Sequence, residues 1–121
     1  MSSIKNSAQW KNQLVFIDPS PGTTPAWFGF PCLIAEKYSK QHRAYLNYLS
    51  ESGVENRPIV SGNFARQPGL RLMGIDCDPK DFPGAELITT VGFFIGLHTE
   101  PVSDKIIKNL TDILLGFKFD E

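Results

Sequence analysis

Val91 to Leu97 is an unbroken apolar run, Val-Gly-Phe-Phe-Ile-Gly-Leu. It is far shorter than the roughly 20 residues a membrane-crossing helix needs. A run of this length with a Phe-Phe-Ile centre predicts a buried strand, which the rest of the chain must cover. The cover follows at once. His98-Thr99-Glu100-Pro101 reads as a turn, and Ser103 as the cap of a helix with Asp104 in its positive first turn. Ile106, Ile107, Leu110, Ile113 and Leu114 then recur on one face, and Gly116 closes the helix.

Upstream, the same logic predicts shorter pieces. Met1 to Gln13 has no clear period and reads as a lead-in. Leu14 to Ile17 is a short apolar run fit for a strand, followed by a Pro- and Gly-rich loop from Asp18 to Pro25. Trp27 to Ile34 reads as a strand that Pro31 demotes to an edge, a bulge or two pieces. Tyr38 to Gly53 predicts a helix capped by Ser39 and closed by Gly53, with His42 at its solvated surface. Gly69 to Pro79 reads as irregular, with a short strand at Leu70 to Met73. Asp81 to Thr90 predicts a short helix capped by Asp81, with Pro83 in its first turn. The expected fold is α+β: a small, three-stranded, mostly antiparallel sheet with helices packed on one face.

For function the chain reads as organised around Arg57 to Pro68, Arg-Pro-Ile-Val-Ser-Gly-Asn-Phe-Ala-Arg-Gln-Pro. A strand aims a loop that turns at Ser61-Gly62-Asn63, presents Arg66 and Gln67 and stops at Pro68. Asn63 and Gln67 supply donors and acceptors, and Arg66 a planar cationic fork suited to phosphate or carboxylate. The plainer reading is a polar surface loop with a solvated arginine.

Composition narrows the function. The 121 residues are 41% hydrophobic and 21% charged, ordinary for one globular domain, with a net charge of −1. A chain so balanced, with a pI near 6.1, lacks the basic stripe of a general nucleic-acid binder. Trp27-Phe28-Gly29-Phe30 echoes the aromatic strand of an RNA-recognition motif, but no basic residue precedes it and Pro31 follows it. The polar N-terminus has no signal-peptide pattern, and Cys32 and Cys77, far apart, suit reduced thiols, so a cytoplasmic location is expected. Asp76-Cys77-Asp78 lacks the paired ligands of a metal site. No nucleophile, phosphate-loop or zinc motif is present; His42 reads as a solvated surface residue, and His98 with Glu100 is the one remote catalytic pairing the sequence offers. No catalytic residue, metal or membrane partner is expected.

Several blocks together carry a resemblance: Trp27-Phe28-Gly29-Phe30-Pro31; Arg43 to Leu49 in a helix ending at Gly53; Arg57; Gly62-Asn63-x-x-Arg66-Gln67-Pro68; Phe82-Pro83 with Ala85 and Glu86; Phe94-Ile95-Gly96-Leu97; and Ser103 opening the last helix. From about Pro25 to Gly116 the chain resembles the small C-terminal domain of the DegT/StrS sugar aminotransferases. These are pyridoxal-phosphate enzymes of the aspartate aminotransferase fold that act on nucleotide-linked keto-sugars. The wording is closest to the 4-keto-6-deoxy-sugar 3-dehydrase branch of lipopolysaccharide sugar synthesis.

The resemblance implies a lead-in at residues 1–24 and an aminotransferase-like small domain at 25–121. The family's large domain, with its Schiff-base lysine (a histidine in the 3-dehydrase branch), has no counterpart here. The chain thus reads as a piece of a longer enzyme or a short open reading frame. It is expected to be inactive alone, with no cofactor of its own, while the parent uses PLP or PMP. The resemblance also implies substrate-binding roles for Asn63, Arg66 and Gln67, with His98 a minor contact. Without the large domain, apolar surface, including Trp10, Leu14 and Phe16, is expected to promote self-association. A non-enzymatic interaction or dimerisation module is the alternative reading.

Overall fold

The computed structural model describes residues 1–120. Helix α1 (Ser2–Lys5) and strand β1 (Leu14–Phe16) come first, then β2 (Gly29–Ile34), a 3-10 segment (Glu36–Gln41) and α2 (His42–Glu51). They are followed by β3 (Asn56–Arg57), a 3-10 turn (Phe64–Arg66), α3 (Pro68–Leu72), a second such turn (Pro79–Asp81), α4 (Pro83–Val91), β4 (Gly92–Gly96) and α5 (Asp104–Gly116).

The class is α+β as expected, but the sheet has four strands rather than three, in the order β1-β2-β4-β3, all antiparallel. The apolar run found first in the sequence becomes β4, an inner strand. Its Phe93 pairs with Cys32 and its Ile95 with Asn56 and with Phe30 of β2. Alternation then places Leu14, Phe16, Phe30, Cys32, Ile34, Phe93 and Ile95 on one face. Ile4, Tyr45, Leu49, Leu114 and Leu115 from α1, α2 and α5 complete this core.

Tyr45 centres the core. Its ring meets Phe93, Phe117 and Phe119 at centroid distances of 5.6, 5.4 and 5.3 Å. Its hydroxyl donates to the Leu114 carbonyl (2.8 Å), and that of Tyr48 to Ile113 (3.1 Å). Two carbonyls of the last turn of α5, which have no partner within the helix, are thereby satisfied by tyrosines of α2. Helix α2 ends in a Schellman arrangement. Gly53, at φ +82°, donates to Ser50 (3.0 Å) and Val54 to Leu49 (2.8 Å).

Several expectations change. The polar lead-in is not a loose tail, because it supplies α1 and β1, and Ile4, Leu14 and Phe16 are buried; Trp10 is half-buried against the same core. Leu14 and Phe16 therefore add nothing to an exposed apolar surface. Pro31 lies within inner strand β2, one residue beyond the last β1 pair, Phe16 with Cys32. It thus has no β1 ladder to break. Ser39 falls inside the 3-10 segment and caps nothing. Leu70 to Met73 forms the end of α3, where Pro68 at the first position begins a helix instead of ending the loop. Phe82, not Asp81, stands at the cap of α4. On α5, Ile106 faces out at 55% exposure while Leu115 is buried. His42 is half-buried, and its Nε2 has no hydrogen-bond partner among the described residues. Burial also lowers its pKa, against a smaller opposite effect of a bond to the Gly92 backbone.

Candidate functional site: the Asn63–Arg66 loop on helix α4

The loop that follows β3 is fastened to α4. Gly62 turns the chain at φ +66°, and a Cβ there would come within 2.9 Å of the Thr89 hydroxyl oxygen. That hydroxyl accepts the Asn63 backbone N–H at 2.5 Å and donates to the Ala85 carbonyl at 2.8 Å. Asn63 then starts the 3-10 turn, its Oδ1 accepting the Ala65 N–H at 3.1 Å.

Asn63 is 2% exposed. Its Nδ2 donates to the Pro79 carbonyl and to Glu86 Oε2, both at 2.8 Å. Both side-chain donors are used inside the chain, so Asn63 holds the loop. Arg66 faces solvent, with its side chain 56% exposed. Nε donates to Glu86 Oε2 at 3.0 Å and Nη2 donates to Oε1. The remaining guanidinium hydrogens have no acceptor among the described residues.

The Glu86 carboxylate thus receives Arg66 and Asn63 together. Hydrogen bonds from Arg66 and then Asn63 hold its pKa down to about 2, and the same pairing raises that of Arg66. Glu86 is ionised at any ordinary pH.

Gln67 is exposed at the start of α3, and its side chain caps nothing. His98 is exposed in the segment after β4, with no bond to the loop. Asn63 and Arg66 are therefore brought together through Glu86, Gln67 sits beside them in sequence, and His98 is not joined to them. The residues that composition and motif left unmarked are Glu86, as an ion-pair partner, and Thr89. Their i, i+3 spacing on a short helix was the available signal, but it does not say which loop they meet. A concavity of about 540 Å³ lies elsewhere, lined by Lys11, Tyr38, Phe117 and Phe119, and includes none of these residues.

No cluster of His, Cys, Asp and Glu among the described residues could hold a metal, and no described helix is long and apolar enough to cross a membrane. Cys32 is fully buried, which pushes its thiol up to about 12.

No model of a known protein family matches the chain. It is 34% identical over 89 residues to a GDP-4-keto-6-deoxy-D-mannose 3-dehydratase of Yersinia pseudotuberculosis, covering 74% of this chain and 22% of that one. Against the enzyme of the same name from Escherichia coli O55:H7 it is 28% identical over 81 residues, covering 67% and 21%. A dTDP-4-dehydro-2,6-dideoxy-D-glucose 3-dehydratase of Saccharopolyspora spinosa shares 20% over 98 residues, 78% of this chain and 21% of that one. The chain spans about a fifth of the length of these relatives.

Solved structures give the same fold. The E. coli GDP-4-keto-6-deoxy-D-mannose-3-dehydratase with bound hydrated PLP superposes with a TM-score of 0.72 at 24% identity, over 93% of this chain and 27% of that one. A point variant of GDP-4-keto-6-deoxymannose-3-dehydratase with bound GDP-perosamine superposes at 0.75 and 24%, over 93% and 28%. In sequence this chain is homologous to nucleotide-sugar 3-dehydratases, and it shares the fold of the GDP-4-keto-6-deoxymannose 3-dehydratases over about a quarter of their solved length.

Proposed function

We propose that this chain is the small C-terminal domain of a PLP- or PMP-dependent enzyme that acts on a nucleotide-linked keto-sugar. The enzyme would be a 3-dehydratase or aminotransferase of deoxysugar and lipopolysaccharide synthesis in the cytoplasm. Residues 25–121 carry the domain, and residues 1–24 add an edge strand and a short helix to it. The domain supplies one wall of the substrate cleft. The observation that carries this reading is Arg66, an exposed guanidinium steadied by Glu86 with hydrogens left over for an anion. Gln67 stands beside it as a second ligand contact, Asn63 serves by holding the loop, and His98 is at most peripheral.

The residues present do not fit the cofactor's anchorage. A Schiff-base lysine needs a shaped, desolvated setting, and every lysine of this chain is exposed. The cofactor does the hard chemistry in such enzymes, so the chain alone is inactive. It should bind a nucleoside diphosphate weakly and PLP without specificity. Titration with GDP, and borohydride reduction with PLP followed by mass analysis, test both points. One stoichiometric adduct at a single lysine, or loss of all GDP response, would overturn the reading.

A second role is favoured by exposed apolar side chains. Phe28, Val60 and Leu72 are 80%, 82% and 89% exposed, a surface that suits docking to a larger body or self-association. Sedimentation across concentrations separates these from a strict monomer.

A further inference from the structure

Arg66 meets its carboxylate partner with one side of its fork. Nε and Nη2 face Glu86, while Nη1 and the second hydrogen of Nη2 are unused among the described residues. A guanidinium offers more than one bidentate edge, and an internal carboxylate takes one of them here. Glu86 is itself held in place. Its Oε2 also accepts from the buried Asn63, whose Nδ2 donates to Pro79 and whose backbone donates to Thr89. This carboxylate is a fixed post between a buried amide and an exposed cation.

We propose that Glu86 is a positioning residue, which clamps Arg66 by its Nε–Nη2 edge so that the Nη1–Nη2 edge is presented to the diphosphate of a nucleotide-linked ligand. The inference rests on the reading of Arg66 as a phosphate contact. The contrary role for such a carboxylate is competition, in which Glu86 occupies Arg66 until an anion displaces it. The two roles differ in sign. Competition, and simple charge counting, make removal of the Glu86 charge strengthen anion binding. Positioning makes it weaken binding, because a released arginine must be ordered again when the ligand arrives.

The test uses this chain, labelled so that the arginine Nε–H signals are read by NMR, and titrated with GDP. In the unaltered protein the Arg66 Nε–H signal should stay in place as GDP binds, while the signals of its terminal nitrogens move. Glu86→Gln should raise the GDP dissociation constant about tenfold, the scale of one charge-assisted hydrogen bond, although it makes the site less negative. Glu86→Asp keeps the charge but shortens the arm by one methylene, and should lose a similar factor. Thermal melts record the fold of each variant.

Unchanged or tighter GDP binding by a folded Glu86 variant would overturn the inference. So would displacement of the Nε–H signal by GDP in the unaltered protein, an outcome that requires no variant to fold. Arg66→Ala tests what lies beneath. If it leaves GDP binding unaltered, the phosphate role of Arg66 fails, and not merely that of Glu86.

Discussion

The two halves of this molecule are held together by different physics. In one, β1, β2, β4, α2 and α5 close on Tyr45, Phe93, Leu49 and Leu114, all of them fully buried. In the other, from Val60 to Thr90, Asn63 is the one fully buried residue, and its hydrogen bonds to Glu86, Thr89 and Pro79 tie the segment together. Val60, Phe64, Leu72 and Met73 stay exposed there. The first half buries apolar area, which stabilises without regard to direction. The second relies on directional bonds at the surface, which contribute less but set a side chain's geometry. A site that must aim an arginine belongs on the second kind of support, anchored to the first.

The cysteines report on the two halves, and here the largest contrast is expected. Cys32 lies in the core with its thiol pushed up to about 12, whereas Cys77 is half-exposed between α3 and the Pro79 turn. Alkylation at neutral pH should label Cys77 at least about a thousandfold faster, because Cys32 must await opening of the core. Comparable rates would mean that the core half is no better protected than the loop half.

Core truncation should come next in size. Leu114→Ala or Leu49→Ala should cost about 2–5 kcal/mol in denaturant unfolding, since each leaves a cavity in the fully buried core. Asn63→Ala should cost about 0.5–2 kcal/mol, through loss of a turn cap. It should also release Arg66 and raise hydrogen exchange between residues 60 and 90 while the α2–α5 amides stay protected. A loss as large as that of Leu114→Ala would merge the two halves into one cooperative unit.

Acid should separate them further. The folded-state pKa of Glu86 is depressed to about 2 from an ordinary 4.5, so its contribution is fully present above the ordinary value. It is lost as pH falls from about 4.5 through about 2. In the folded protein the Asn63 side-chain amide and Arg66 Nε–H signals should hold steady down to about pH 3 and then shift together around pH 2 in NMR spectra, tracking one protonation. Independent shifts would dissolve the proposed network.

The smallest effect is expected at a second arginine pair. Arg57 and Glu55 approach to 2.7 Å, but their side chains are 68% and 76% exposed, and no third residue among those described holds the carboxylate. Glu55→Gln should leave the melting temperature unchanged within error, as exposed pairs commonly do. If it matched Glu86→Gln in its effect on order, the buried asparagine would not be what distinguishes the two pairs.

Much of this was legible in the chain wherever the cause is local. The apolar run at Val91–Leu97 dictates a buried strand, Gly53 a left-handed helix end, and the spacing of Leu110 and Leu114 the inward face of α5, because each depends on neighbours within a few residues. The blocks from Trp27 to Ser103 carried enough pattern to name the right relatives.

Tertiary structure decided what no local period encodes. It inserted β4 between β2 and β3, and left Pro31 where β1 had already ended. It turned Ile106 outward and Leu115 inward on a helix whose last turn is bonded to Tyr45 and Tyr48. It also brought Asn63 to Glu86, 23 residues away, so that the side-chain donors of this asparagine are used within the chain, and a glutamate marked only as part of a family pattern became the partner of Arg66. Local chemistry can say which side chains are able to bind. Which of their hydrogens remain free depends on what the folded chain has already bonded.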